Sequence, residues 1–167
     1  MTPLTDAQIR ASFVNATRRE VAQATLPDLS AVRWDRLEYL GWRDRKAPLV
    51  AYVVVEIDDV PTGIVLRVAD RGSGPRRRAM CAWCEDVVET DDVTLLTARR
   101  AGPAGRRGDS IGTLICADFR CSTNARRPPT SAEAGSGVAE IRDLLVADRI
   151  AGLQERCRMF VREVASR

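Results

Sequence analysis

Cys81-Ala82-Trp83-Cys84 and, 31 residues further on, Cys116-Ala117-Asp118-Phe119-Arg120-Cys121 are the stretches that decide how this chain is read. Four of the five cysteines fall into these two close pairs. A C-x2-C pair followed by a C-x4-C pair is the spacing of a four-thiolate zinc site. A tight turn places both thiolates of a pair on one side of the ion, and tetrahedral Zn²⁺ accepts two such pairs at about 2.3 Å. Four thiolates leave no open position for water, so the expectation is one structural Zn²⁺ held by Cys81, Cys84, Cys116 and Cys121. A redox dithiol would need C-x-x-C at a strand-to-helix junction of a βαβ unit, and two disulfides are disfavoured in a reducing cytosol. Cys157 lies on an apolar helical stripe and reads as a small buried hydrophobe.

The residues between and beside the pairs support the same view. Val93 to Ala98 and Ile111 to Cys116 read as short strands, connected by the glycine-rich Gly102 to Gly108. Ala117 to Arg127 can start a helix whose first turn carries Cys121. Knuckle, β-hairpin and helix, with a ligand pair at each end, describe a treble clef at about 76–127.

Further out, Leu49 to Ile57 and Ile64 to Val68 read as a hairpin across the turn-forming Asp58 to Gly63. Thr5-Asp6-Ala7-Gln8 is a capping box that opens a short helix, and Arg18 to Ala24 gives another turn or two before Pro27. Trp34 to Trp42 holds three of the eight aromatic residues and reads as core. Asp70 to Pro75 is a loop followed by Arg76-Arg77-Arg78, and Thr130 to Gly137 has linker composition. From about 138 to 165 the apolar positions Ile141, Leu145, Ile150, Leu153, Cys157, Phe160 and Val164 mark an amphipathic helix, with a break expected near Gly152. The fold class is α+β, antiparallel strands with flanking helices and the four-cysteine finger, in one domain over 1–167.

Composition narrows the chemistry. The 167 residues are 45% apolar and 29% charged, an ordinary globular balance. There is no histidine, which excludes Ser-His-Asp and Cys-His catalysis and every zinc site with a histidine ligand. The one lysine, Lys46, is not in a phosphate-binding loop motif. The longest apolar run, Ala47 to Val55, is too short to span a bilayer. The start of the chain lacks a basic, apolar leader, so the expected location is the cytoplasm, with no membrane partner. Asn15-Ala16-Thr17 matches a glycosylation acceptor and Arg107-Gly108-Asp109 an integrin-recognition tripeptide; without secretion both are chance matches. Asp58-Asp59 and Asp91-Asp92 read as solvated turn residues.

The net charge of +3 is concentrated in the middle of the chain, where Val93 to Arg127 carries seven arginines against two aspartates. Arg99, Arg100, Arg106 and Arg107 are expected in a flexible loop, projecting from a zinc-braced scaffold toward an acidic protein or RNA phosphates.

Ile9-Arg10-Ala11-Ser12-Phe13-Val14-Asn15, Leu40-Gly41-Trp42-Arg43-Asp44, Cys81-x-x-Cys84, Leu96-Thr97-Ala98-Arg99-Arg100 and Gly112-Thr113-Leu114-Ile115-Cys116-Ala117-Asp118 resemble, in this order, the treble-clef domain of the elongation factor G-binding proteins, the FusB-type family linked to fusidic acid resistance. The resemblance runs from about Ala7 to Phe160. It implies a non-catalytic, zinc-stabilised module that acts on elongation factor G or the ribosome; the arginines leave rRNA contact open, and no small-molecule substrate is expected. It also implies that Cys81, Cys84, Cys116 and Cys121 are the zinc ligands. The resistance proteins carry a separate N-terminal helical bundle, whereas here the zinc-domain resemblance begins close to Met1. The alternative reading is a nucleic-acid-binding zinc finger that uses the same arginines on phosphates.

Overall fold

The computed structural model describes residues 1–69, 79–85, 93–135 and 139–166. The expected loop Asp70 to Pro75, the triplet Arg76 to Arg78, Asp91-Asp92 and the end of the Thr130 to Gly137 segment lie wholly or partly outside these residues.

Two capping boxes organise the N-terminal arm. Thr5 caps α1 (Asp6–Ser12) with Gln8, and Thr17 caps α2 (Arg18–Gln23) with Glu20, each pair exchanging side-chain and backbone hydrogen bonds. β1 (Leu40–Arg43) follows, then β2 (Val50–Ile57) and β3 (Val60–Val68). The hairpin between them is tighter than the sequence suggests. Its loop is only Asp58-Asp59, both at positive φ (50° and 63°), and Val60 to Gly63 belong to β3. Aspartate tolerates the left-handed region, and a loop with two positive φ values matches the twist of its strands. β4 (Val93–Arg99), α3 (Gly102–Arg106), β5 (Ser110–Cys116), α4 (Cys121–Ala125), α5 (Ser131–Ala134) and α6 (Ala139–Ala165) complete the order. Among the described residues the strands form one antiparallel sheet, β1-β2-β3-β4-β5.

Both faces of this sheet are covered, which is why β2 is a continuous apolar run and not an alternating one. Ala51, Val53 and Val55 face one core with Leu153, Cys157, Val161 and Val164 of α6 and with the four paired cysteines. Tyr52 and Val54 face a second core with Leu4, Ile9, Ala24 and Trp42. Trp42 stacks on Tyr52 at 4.9 Å and donates its indole N–H to the Thr25 carbonyl. Asp44, nearly buried, accepts hydrogen bonds from the Thr25 and Lys46 amides and the Tyr52 hydroxyl. Burial alone would raise its carboxyl pKa; these donors outweigh it and hold it below the usual range.

α6 runs unbroken past Gly152. The Arg156 guanidinium lies over that glycine, and its Nε donates to the Trp83 carbonyl at 2.7 Å. The helix is thereby tied to the first cysteine turn, and Phe160 packs on Trp83 at 5.9 Å between ring centres. Among the described residues no helix is long and apolar enough to cross a membrane.

Among the described residues β3 and β4 pair through Arg67–Thr97 and Val68–Leu96, and the Ala69 N–H just past β3 bonds to the Leu95 carbonyl. Asn15 enters where the next hydrogen-bonded pair in this register, Val65 with Arg99, would form. Its Oδ1 accepts the Val65 N–H at 2.8 Å, and its Nδ2 donates to the Val65 and Arg99 carbonyls at 3.0 and 2.9 Å. Beyond it, Phe13 and Val14 run parallel to Gly63, whose carbonyl accepts the Val14 N–H. The tripeptide that matched a glycosylation acceptor thus supplies the residue that completes the sheet where its strands part.

Gly41 is needed for a close approach. A Cβ there would lie 2.5 Å from the Phe119 ring and 2.8 Å from that of Tyr39. Phe119 is itself held at φ 61° and buried, so it cannot retreat. Gly41→Ala is expected to cost about 1–3 kcal/mol as an overpacked core position. A lowered urea midpoint with an unchanged slope checks it; an unaltered midpoint contradicts it.

Candidate metal centre

Three local devices place the four cysteines. Cys81 and Cys84 form a turn in which the Cys84 N–H points at the Cys81 sulfur at 3.4 Å and the Glu85 N–H bonds to the Cys81 carbonyl. This turn docks on the sheet through the Ala82 N–H and the Leu114 carbonyl of β5. Cys116 is the last residue of β5 and Cys121 the first of α4. The helix is shorter than Ala117 to Arg127, because the chain first turns back at Phe119, whose N–H bonds to the Cys116 carbonyl and whose φ is positive.

The four Sγ atoms lie within 4.8 Å of one another and all four residues are buried. Cys81 and Cys121 are 3.6 Å apart through sulfur, Cys84 and Cys116 3.7 Å. Sulfurs at about 2.3 Å from a tetrahedral centre are separated by roughly 3.8 Å, so the set has the size of one Zn²⁺ coordination shell. Hydrogen bonding from Cys116 and then Cys121 holds the Cys81 thiol far below its ordinary pKa, while the same contacts and burial hold Cys121 far above it. Thiolates packed this closely repel, and a divalent cation removes the conflict. Cys157 stands outside the cluster; its sulfur donates to the Gln154 carbonyl, and burial pushes its thiol up to about 12.

One residue of the site was not singled out in the sequence. Asn124 Nδ2 points at Cys116 Sγ at 3.4 Å and Cys84 Sγ at 3.6 Å, one sulfur from each pair. A donor to two thiolates orients them and tempers their charge, and such partners of metal ligands are typically worth 10–100-fold in affinity. Asn124→Ala is expected to speed zinc transfer to a chromogenic chelator by about tenfold. An unchanged transfer rate would remove Asn124 from the centre.

The four arginines do not sit in one flexible loop. Arg99 ends β4 and reaches Glu20 at 3.1 Å. Arg100 holds the C-terminal end of α6, with Nη2 on the Glu163 carboxylate at 2.7 Å and Nη1 on the Glu163 carbonyl and Ser166 hydroxyl. Arg106 closes α3, and Arg107 faces Asp109 at 3.7 Å. One of the glycines that suggested flexibility serves close packing instead: a Cβ on Gly105 would lie 1.8 Å from the Arg100 carbonyl oxygen. Only that absence lets α3 press against the end of β4.

A β4–β5 hairpin set between a cysteine turn and a short helix, with two thiols at each end, defines a treble-clef zinc finger. The profile described as the FBP C-terminal treble-clef zinc-finger matches residues 8–164, and the chain belongs to that family. Among solved structures, that of the fusidic acid resistance protein FusC is similar, with a TM-score of 0.52 and 22% identity over 74% of this chain. The match covers 52% of FusC, so the chain spans about half the length of that relative. No curated protein sequence matches the chain.

Proposed function

We propose that this protein is a non-catalytic, cytoplasmic binding module that docks on elongation factor G, alone or on the ribosome, and that residues 1–167 form one domain with the zinc subdomain at about 76–127. Membership of the FBP zinc-finger family over nearly the whole chain carries the reading. Cys81, Cys84, Cys116 and Cys121 are the zinc ligands in this proposal, and the metal braces the scaffold without touching the partner. Arg99, Arg106 and Arg107 are exposed at the end of the β4–β5 hairpin and form the basic partner face, with Arg100 beneath them as the link to α6.

Affinity capture from lysate, with and without RNase, tests this. Retention of elongation factor G after RNase supports the reading. Loss of all translation components on RNase treatment favours the nucleic-acid alternative and overturns it. Replacing Arg106 and Arg107 together by alanine is the clean variant, because Arg100 also holds α6. Binding to immobilised elongation factor G should slow in association and lose part of its salt dependence.

A further inference from the structure

Between the Asn15 segment, the end of β4 and α3 lies a cleft of about 270 Å³ bordered by Asn15, Thr17, Arg99, Arg100, Gly105 and Arg106. Asn15 spends its whole amide on the Val65 and Arg99 backbones, so it holds the cleft open and has no donor left for a ligand. Gly105 fixes α3 against β4 and thereby fixes where Arg106 stands. Three guanidinium groups border one concavity. Two of them already hold carboxylates at its rim, Arg99 that of Glu20 and Arg100 that of Glu163. Arg106 is exposed and has no hydrogen-bond or ion-pair partner among the described residues.

We propose that this cleft receives a carboxylate side chain from an acidic protein segment, with Arg106 and Arg99 as its charged contacts. This deepens the reading of the protein as a binding module and rests on it. The volume lies below the roughly 300–1,000 Å³ of pockets that enclose whole small molecules, so the cleft takes one side chain of a larger partner. The arginine fork matches a carboxylate, and the rim shows that pairing twice. An RNA strand is the poorer occupant. It binds through a run of unopposed cations along consecutive phosphates, and here Glu20 and Glu163 alternate with the arginines.

Amide NMR of the zinc-loaded protein, titrated at low salt with hexaglutamate and separately with hexauridylate, tests the cleft without elongation factor G. Saturable shifts at Asn15, Arg99, Gly102 and Arg106 with hexaglutamate are expected. Arg106→Glu should weaken them at least about tenfold, since like charges at a contact are costly. Arg142→Glu makes the same charge change on an exposed position of α6 outside the cleft lining and should leave them nearly unaltered. Absent or scattered shifts, equal losses in both variants, or tighter binding of hexauridylate to the same amides would overturn the proposal. A protein that shows the cleft titration yet ignores elongation factor G would refute the assigned partner and leave the cleft standing.

Discussion

Cys116→Ser is expected to abolish the cooperative thermal transition of this protein, or to lower its midpoint by more than about 15 °C, and to empty the metal site. The four paired cysteines are part of the same apolar cluster as Tyr39, Val53, Leu66, Trp83, Leu153 and Val161, so the centre is inside the core and not appended to it. Binding energy of a structural zinc is folding energy, on the order of 10 kcal/mol, against a total stability of about 5–15 kcal/mol for a domain. With one ligand lost, three thiols remain packed within contact distance and only partly neutralised. Each kcal/mol moves the midpoint by about 2–4 °C at this chain length. Metal analysis, circular dichroism and calorimetry on the variant read the effect. Cys157→Ala, a buried cysteine outside the cluster, should keep its zinc. Wild-type melting and a full zinc complement in Cys116→Ser would refute the four-thiolate centre.

Glu38→Ala ranks second. Its side chain is 2% exposed and takes two hydrogen bonds of 2.6 Å from the Arg126 guanidinium, which also donates to the Ser122 carbonyl in the first turn of α4. The Glu38 N–H donates to the Ser122 hydroxyl, so the residue ties the entry to β1 to the helix that starts at Cys121. Removing Glu38 leaves the partly buried Arg126 charge uncompensated, and the cost of breaking a fully buried pair, about 3–5 kcal/mol, is its upper bound. A drop of about 10 °C in the midpoint is expected, with zinc retained. Replacing both groups, Glu38→Met with Arg126→Leu, should recover much of the loss, because neither charge then stays behind. A single-variant midpoint within about 3 °C of wild type would mean that water reaches the pair.

The zinc centre could be read from four residues because metal geometry demands a local spacing, and the two pairs satisfy it without reference to the rest of the chain. The capping box at Thr5, the Val93–Ala98 and Ile111–Cys116 strands and the last helix are likewise local patterns, and they stand close to where they were expected. What escaped the sequence depends on distant neighbours. Gly41 looks like any glycine until Phe119, far along the chain, is laid over it. Gly102 to Gly108 carries loop composition, and only the closeness of the Arg100 carbonyl shows why Gly105 belongs in a packed helix. Asn15 and Asn124 are single polar residues with no periodic signature; one closes a sheet and the other faces two sulfurs. Charge counting found the basic region but not its division, since Arg100 answers to Glu163 and Arg99 to Glu20.

The inserted Asn15 has a consequence for the order of events during synthesis. Its partners Val65 and Arg99 stand 50 and 84 residues downstream. At translation rates of about 5–20 residues per second, the arm that carries it waits roughly 4–17 s before its last partner has been made. The segment made first is therefore among the last to be fixed. Until then the arm is held to the sheet through Val65 and Gly63, and β3 has an open edge exposed to pairing with other chains. A pulse of deuterium applied to stalled nascent chains would find Ala69, whose N–H bonds to the Leu95 carbonyl, unprotected in chains that stop short of β4, and protected once that strand has cleared the exit tunnel.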